Sequence, residues 1–206
     1  MMDAGDIEGA AEWLYRVAGF DSREPVAPAK LAKALLGHGA IRTVHRHALK
    51  KDAALAVVHG APRIFVRSGL DLRRRNFAIC HELAEWHLGE IRYCEPDVEQ
   101  VADALAAALL APRQLFLLAL REDGVKFPLL AARFAATQSC AALRFGETTN
   151  TPLVLVAPRE VRVRGAPWGW PQTEEQLRKL AKLPPIPGMR RDVLSDEPKR
   201  VVLRVA

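Results

Sequence analysis

The sequence is short of cysteine. It has three, Cys80, Cys94 and Cys140, an odd number without the spacing of a disulfide framework. A small secreted scaffold held by disulfides is therefore excluded, and a reducing, cytoplasmic location is expected. No stretch approaches the roughly eighteen uncharged apolar residues that a membrane-crossing helix needs. Residues 1–20 carry acids early and read as an amphipathic helix, not as a charged-then-apolar secretion signal. Internal repeats and low-complexity tracts are also missing. So is histidine from the second half of the chain: all six, at 38, 45, 47, 59, 81 and 87, precede residue 88. Nor is there one long basic run. The net charge of +6 and pI near 9.5 come from scattered arginines, which permit an acidic partner or nucleic acid without demanding either.

What is present suffices for one core with a small appendage, in 206 residues of which half are apolar and a quarter charged. Apolar periodicity predicts a first helix over residues 7–19. Pro25 and Pro28 break the chain before a short helix over 30–36, which Gly37 and Gly39 end. Three short strands follow at 40–46, 54–59 and 63–67, with Gly60-Ala61-Pro62 as the hairpin turn between the last two. Helices are then expected from about 74 to 88, ended by Gly89, and from 96 to 110, stopped by Ala111-Pro112. Shorter helices fill 113–146. Beyond residue 151 come strands at 153–156, 160–163 and 201–205, around a tryptophan- and proline-rich stretch with a helix near 174–183. The order is α+β. The expected domains are 1–150, which includes the helical segment 113–146, and 151–206, a mixed extension of unassigned role.

Chemistry concentrates on the two adjacent helices. With His81 at 0°, Glu85 falls at about 40° and Glu82 at about 100° around the first helix. A histidine and a carboxylate four residues apart can grip one divalent metal. The offset Glu82 then reaches a metal-bound water, as the general base does in H-E-x-x-H. On the second helix Glu99, Ala102, Asp103, Ala106 and Leu110 form one stripe, and its many alanines allow close approach. Glu99 could face His81 as third ligand, and Asp103 could hold the other imidazole nitrogen. The competing reading is an ordinary helix with acids on its wet face.

The run Arg74-Arg75-Asn76-Phe77-Ala78-Ile79-Cys80-His81-Glu82-Leu83-Ala84-Glu85-Trp86-His87-Leu88 resembles the R-F-x-x-A-H-E-L-G-H-x-L segment of ImmA/IrrE-type metallo-endopeptidases. Residues 99–112 resemble their E-x-E-A-N-x-F-A-A-x-L-L-M-P segment. The resemblance covers about residues 8–146. It implies a small zincin-type peptidase fold with a short mixed sheet, an active-site helix pair and a helix-turn-helix-like segment. It also implies cleavage of a DNA-binding repressor encoded nearby. Carried over by position, His81 and Glu99 are ligands, Glu82 is the general base and Asp103 orients His81.

The departure is Glu85, which stands where the family has its second histidine. His87 lies roughly 160° around the helix from Glu85 and cannot replace it without a kink. Either Glu85 ligates or no metal binds tightly. Zinc is the first expectation, but a His-Glu-Glu set is harder than His-His-Glu, so zinc affinity should fall and tolerance of manganese or iron should rise. Tyr93 is the candidate for stabilising the tetrahedral intermediate. A substrate strand is expected to add to the edge of the small sheet at Ile64, Phe65 and Val66. Two further readings stand beside the peptidase: a regulatory or protein-binding member of the same fold without catalysis, and a DNA-binding module using residues 129–145. In the latter only Gln138, Ser139 and Arg144 could read bases or phosphates.

Overall fold

A computed structural model of the chain describes residues 4–91, 98–157, 160–164, 175, 181–182, 189–194 and 200–205. Its elements, in order, are α1 (Ala4–Val17), α2 (Pro28–Leu36), β1 (Ile41–Val44), β2 (Ala53–Val58), β3 (Ala61–Arg67), α3 (Leu72–Glu90), α4 (Val98–Leu110), α5 (Arg113–Asp123), α6 (Phe127–Arg133), α7 (Gln138–Thr149), β4 (Leu153–Ala157), β5 (Glu160–Arg164), β6 (Met189–Leu194) and β7 (Arg200–Val205). The class is α+β, as expected. The chain forms two compact units, residues 1–118 with 134–136, and residues 119–133 with 137–206. No single helix among the described residues is long and apolar enough to cross a membrane.

In the first unit the three-stranded sheet is mixed, in the order β1-β3-β2. β1 runs parallel to β3, and β2 antiparallel. β3 is thus the central strand, and Ile64 and Val66 are wholly buried. This corrects the expectation that a substrate strand adds at residues 64–66: their backbone groups already serve the two neighbouring strands. The expected turn is also displaced. Val58 pairs with Ala61, leaving His59-Gly60 as a two-residue loop with both φ angles positive, at 50° and 76°. Such a turn matches the twist of the strands, and histidine tolerates the left-handed region better than most residues. Pro62 is accommodated because pairing with β1 begins only at Ile64, so its missing N–H forfeits no ladder bond.

α3 starts earlier than predicted because Asp71 caps it, its carboxylate accepting from the Arg73 and Arg74 amides at 2.9 and 3.0 Å. The capping anion also resolves the poor placement of three arginines at a helix N-terminus. At the other end the helix runs through Gly89 to Glu90. α4 packs on α3 with Ala102, Ala104, Ala106, Ala107 and Ala108 all buried. α1 is tied to α4 by the Tyr15 hydroxyl, which donates to the Leu109 carbonyl at 2.8 Å.

The second unit has a four-stranded antiparallel sheet, β5-β4-β7-β6. Thr137 caps α7 by accepting from the Cys140 amide, and Asn150 ends it in the left-handed conformation. Arg204 on β7 pairs with Asp192 at 3.0 Å, and its guanidinium lies 5.9 and 5.7 Å from the ring centres of Phe127 and Phe145. Gln138, Ser139 and Arg144 are 4%, 3% and 1% exposed, so the three groups offered for DNA contact are buried instead. The expected helix at 174–183 falls almost wholly outside the described residues.

Two glycines give contrasting stability predictions. A methyl at Gly146 would meet Leu153 Cδ2 at 2.5 Å and the Thr151 carbonyl at 3.2 Å, and Leu153 is itself fully buried. Gly146→Ala should therefore destabilise the protein by about 1–3 kcal/mol through overpacking. At Gly9, mid-helix with nothing within 4 Å, alanine should stabilise by roughly 0.5–1 kcal/mol. Denaturant unfolding of both variants checks the pair; equal effects would contradict this packing.

Candidate metal centre

The centre is built where the middle of α3 meets the first turns of α4. His81 and Glu85, one turn apart, share a face of α3, and the helix spacing brings Glu85 Oε1 to 3.3 Å from His81 Nε2. From α4, Glu99 Oε2 lies 3.6 Å from the same nitrogen. Asp103, four residues further on, holds the opposite ring nitrogen, with Nδ1 to Oδ1 at 3.0 Å. The imidazole is thereby fixed, with Nε2 turned toward the two glutamates. Ligand atoms of His81, Glu85 and Glu99 all lie within 4.8 Å of one another.

These residues fit a metal. Donors at about 2.0–2.2 Å in a tetrahedral array stand roughly 3.3–3.6 Å apart. The two separations from Nε2, 3.3 and 3.6 Å, match that spacing, and the glutamate oxygens lie within 4.8 Å of each other. The Nδ1 contact to Asp103 is the carboxylate–histidine arrangement that sets a ligating imidazole's tautomer.

Glu82 is only 4% exposed and accepts a hydrogen bond from the Leu55 amide on β2. Val58 and Ala61 form the hydrogen-bonded pair beside the turn, so alternation sends the Leu55 and Val57 backbone groups away from β3. β2, not β3, is accordingly the edge that faces the site. Sequence reasoning missed Leu55, although the two-residue turn, once recognised, fixes this parity. It also missed Lys51, whose ammonium lies 3.6 Å from Glu99 Oε1. No periodicity links a loop lysine to a helix glutamate.

The remaining histidines stand apart from the cluster. The His87 ring is buried against Trp13, with ring centres 5.2 Å apart, on another side of α3. His45 and His47 are exposed on the loop after β1. Cys80 is buried. Tyr93, the candidate for transition-state stabilisation, and Cys94 lie outside the described residues.

Electrostatics follow from crowding carboxylates around one imidazole. Burial works against the charged form of His81, but hydrogen bonds to Asp103 and Glu85, with their charges, outweigh it and hold its pKa up to about 10. Glu82 is pushed up to about 7, first by burial and then by the charge of Glu85; His81 and the Leu55 amide pull the other way. Glu85 is lowered, chiefly by its hydrogen bond to His81.

A short mixed sheet carrying a helix pair with this cluster defines a small zincin-like protein. The chain belongs to the family described as the IrrE N-terminal-like domain (Peptidase_M78), whose profile matches residues 37–145. Among solved structures, a Mycobacterium tuberculosis transcriptional regulator is similar in fold. Its TM-score is 0.63 at 14% sequence identity, over 97% of this chain and 75% of that one. No curated protein sequence matches significantly.

A pH prediction follows. The folded-state pKa values of Glu82 and His81 both exceed their unfolded values of roughly 4.3 and 6.5. Each therefore stabilises the metal-free protein below its unfolded value. That stability is lost as pH rises through about 7 for Glu82 and about 10 for His81. Thermal unfolding of metal-free protein should fall across this range, and Asp103→Asn should flatten its upper part. A His81 imidazole signal titrating near its ordinary value of about 6.5 would contradict the geometry.

Proposed function

We propose that this protein is a metal-dependent endopeptidase that cuts a peptide bond in a protein substrate. The observation that carries the reading is the spacing around His81 Nε2, with Asp103 behind the ring and two glutamate oxygens in front at metal-ligand separations. His81, Glu85 and Glu99 would hold one divalent ion, zinc in the first instance, with manganese or iron as alternatives for so hard a donor set. Such an ion supplies Lewis-acid activation of a water and of the scissile carbonyl. Asp103 keeps the imidazole in its ligating orientation. Glu82, the neighbour of His81 on α3 and buried, accepts the proton of the attacking water and delivers it to the leaving nitrogen. An extended substrate would pair with the outward backbone groups of β2 that Glu82 leaves free, those of Val57 and the Leu55 carbonyl.

As substrate we propose a helix-turn-helix transcriptional repressor. The family membership supports this choice, as does likeness in fold to a protein called a transcriptional regulator. A specific observation favours a second reading. The His81–Glu85 and Lys51–Glu99 contacts pair two of the cluster's carboxylates without an ion, which suits a regulatory member of the fold that binds without cutting. DNA reading by residues 129–145 is not retained, because its polar groups are buried.

The test uses purified protein loaded with zinc and incubated with a repressor encoded beside it. Cleavage should stop on chelation and return with zinc. Glu82→Gln should slow it by about 10²–10⁴-fold while leaving metal content unchanged and the protein folded. Glu85→His should tighten zinc binding. Cleavage by Glu82→Gln at the wild-type rate would remove the mechanism. A wild-type protein that takes up zinc but only binds the repressor would establish the second reading.

A further inference from the structure

Beside the metal centre lies a second feature that the proposed chemistry does not use. The loop from β1 to β2, residues 45–52, carries Arg46, His47, Lys50 and Lys51. With Arg67 at the end of β3 and Arg74 on α3, Arg46 and His47 line an open cavity of about 410 Å³. Three cationic side chains, Arg46, Arg67 and Arg74, line it with Asp71, while Lys50 stands on the same loop outside the lining; the carboxylates here, Asp71 and the adjoining Asp52, are both committed. Asp52 bridges the guanidiniums of Arg67 and Arg74, the latter at 2.7 Å. Asp71 caps α3. Each guanidinium has five N–H donors, more than one shared carboxylate can satisfy. Arg46 Nε meets His47 Nε2 at 3.2 Å, and among the described residues neither Arg46 nor Lys50 has a carboxylate partner.

We infer that this cavity binds an acidic, extended segment of a polypeptide. The charge surplus selects an anion. The surroundings select a polypeptide over nucleic acid. Lys51, adjacent in sequence to the bridging Asp52, leads straight to Glu99, and the cluster of Glu85, Glu99 and Asp103 beyond it repels a continuing phosphate backbone. A peptide chain carries its charge locally and can pass from acidic to neutral residues at that boundary. β2, whose outward groups accept an extended chain, begins at Ala53, one residue after Asp52. A strand lying on that edge would therefore bring residues on one side of its reacting bond into the arginine-lined cavity. The inference rests on the peptidase reading only in making this segment part of a substrate; the binding itself does not require catalysis.

The experiment measures fluorescence anisotropy of a labelled poly-glutamate peptide against the full-length protein at low salt. A poly-glutamine peptide and a single-stranded oligonucleotide of similar length serve as comparisons. Poly-glutamate should bind tightest, with an affinity that falls as salt is added. Arg46→Glu with Lys50→Glu, both on exposed side chains, should weaken it by about tenfold or more while leaving zinc content unchanged. Equal binding by wild type and variant, failure of poly-glutamate to bind, or preference for the oligonucleotide would each overturn the inference. Because zinc uptake and cleavage are read separately, loss of the peptidase reading would leave this result standing, and the reverse.

Discussion

The contact between His81 Nδ1 and Asp103 Oδ1 joins the two helices on which the functional arrangement depends. Small buried residues of α4 near it, Ala102, Ala106 and Ala107, favour the close packing on α3 in which a short aspartate reaches the ring. Once the ring is pinned from behind, Nε2 has one direction left, and Glu85 and Glu99 lie in it. The sheet adds the remaining constraint. β2 abuts α3 with Leu55 turned outward, which places a backbone donor on Glu82 and an open strand edge beside the same cluster.

Charge is the second organising quantity. Four carboxylates, from Glu82, Glu85, Glu99 and Asp103, gather around one imidazole, and that arrangement favours cations, most strongly at the buried Glu82 and the part-buried Asp103. Without a metal, hydrogen bonds to Asp103 and Glu85 favour the charged imidazole, burial and Glu85 favour the neutral form of Glu82, and Lys51 stands against Glu99. The exposed lysine contact is worth little by itself. A divalent ion would meet the same demand more completely, at the cost of the His81 proton. With Glu85 in the set, two of three donors are anionic, which neutralises the ion more fully than two histidines and one glutamate would.

Local periodicity made the heart of the site legible in the sequence. His81, Glu82 and Glu85 sit on one helix and Glu99 and Asp103 on another, and at 100° per residue their relative directions follow from spacing alone. The alanine run announced that the two helices could meet. Strand order was not legible in this way, because nothing in Ile64-Phe65-Val66 distinguishes a central strand from an edge. The turn was misplaced by one residue because Gly60-Ala61-Pro62 carries the strongest turn residues, while His59 took a positive φ that sequence rarely advertises. Gln138, Ser139 and Arg144 were the only polar groups a DNA-reading helix could use there, while the Ser-Cys-Ala-Ala-Leu run among them reads as packing, and α7 buries all three. Lys51 was invisible for the plainest reason, since a loop has no period.

The central claim is that His81, Glu85 and Glu99 hold one divalent ion. It is tested most directly by crystallographic anomalous scattering from zinc-loaded protein, combined with X-ray absorption at the zinc edge. The account predicts a single ion at about 2.0–2.2 Å from His81 Nε2 and from one oxygen each of Glu85 and Glu99, with Asp103 still on Nδ1. An ion held instead through His87, or no stoichiometric ion at all, would contradict it.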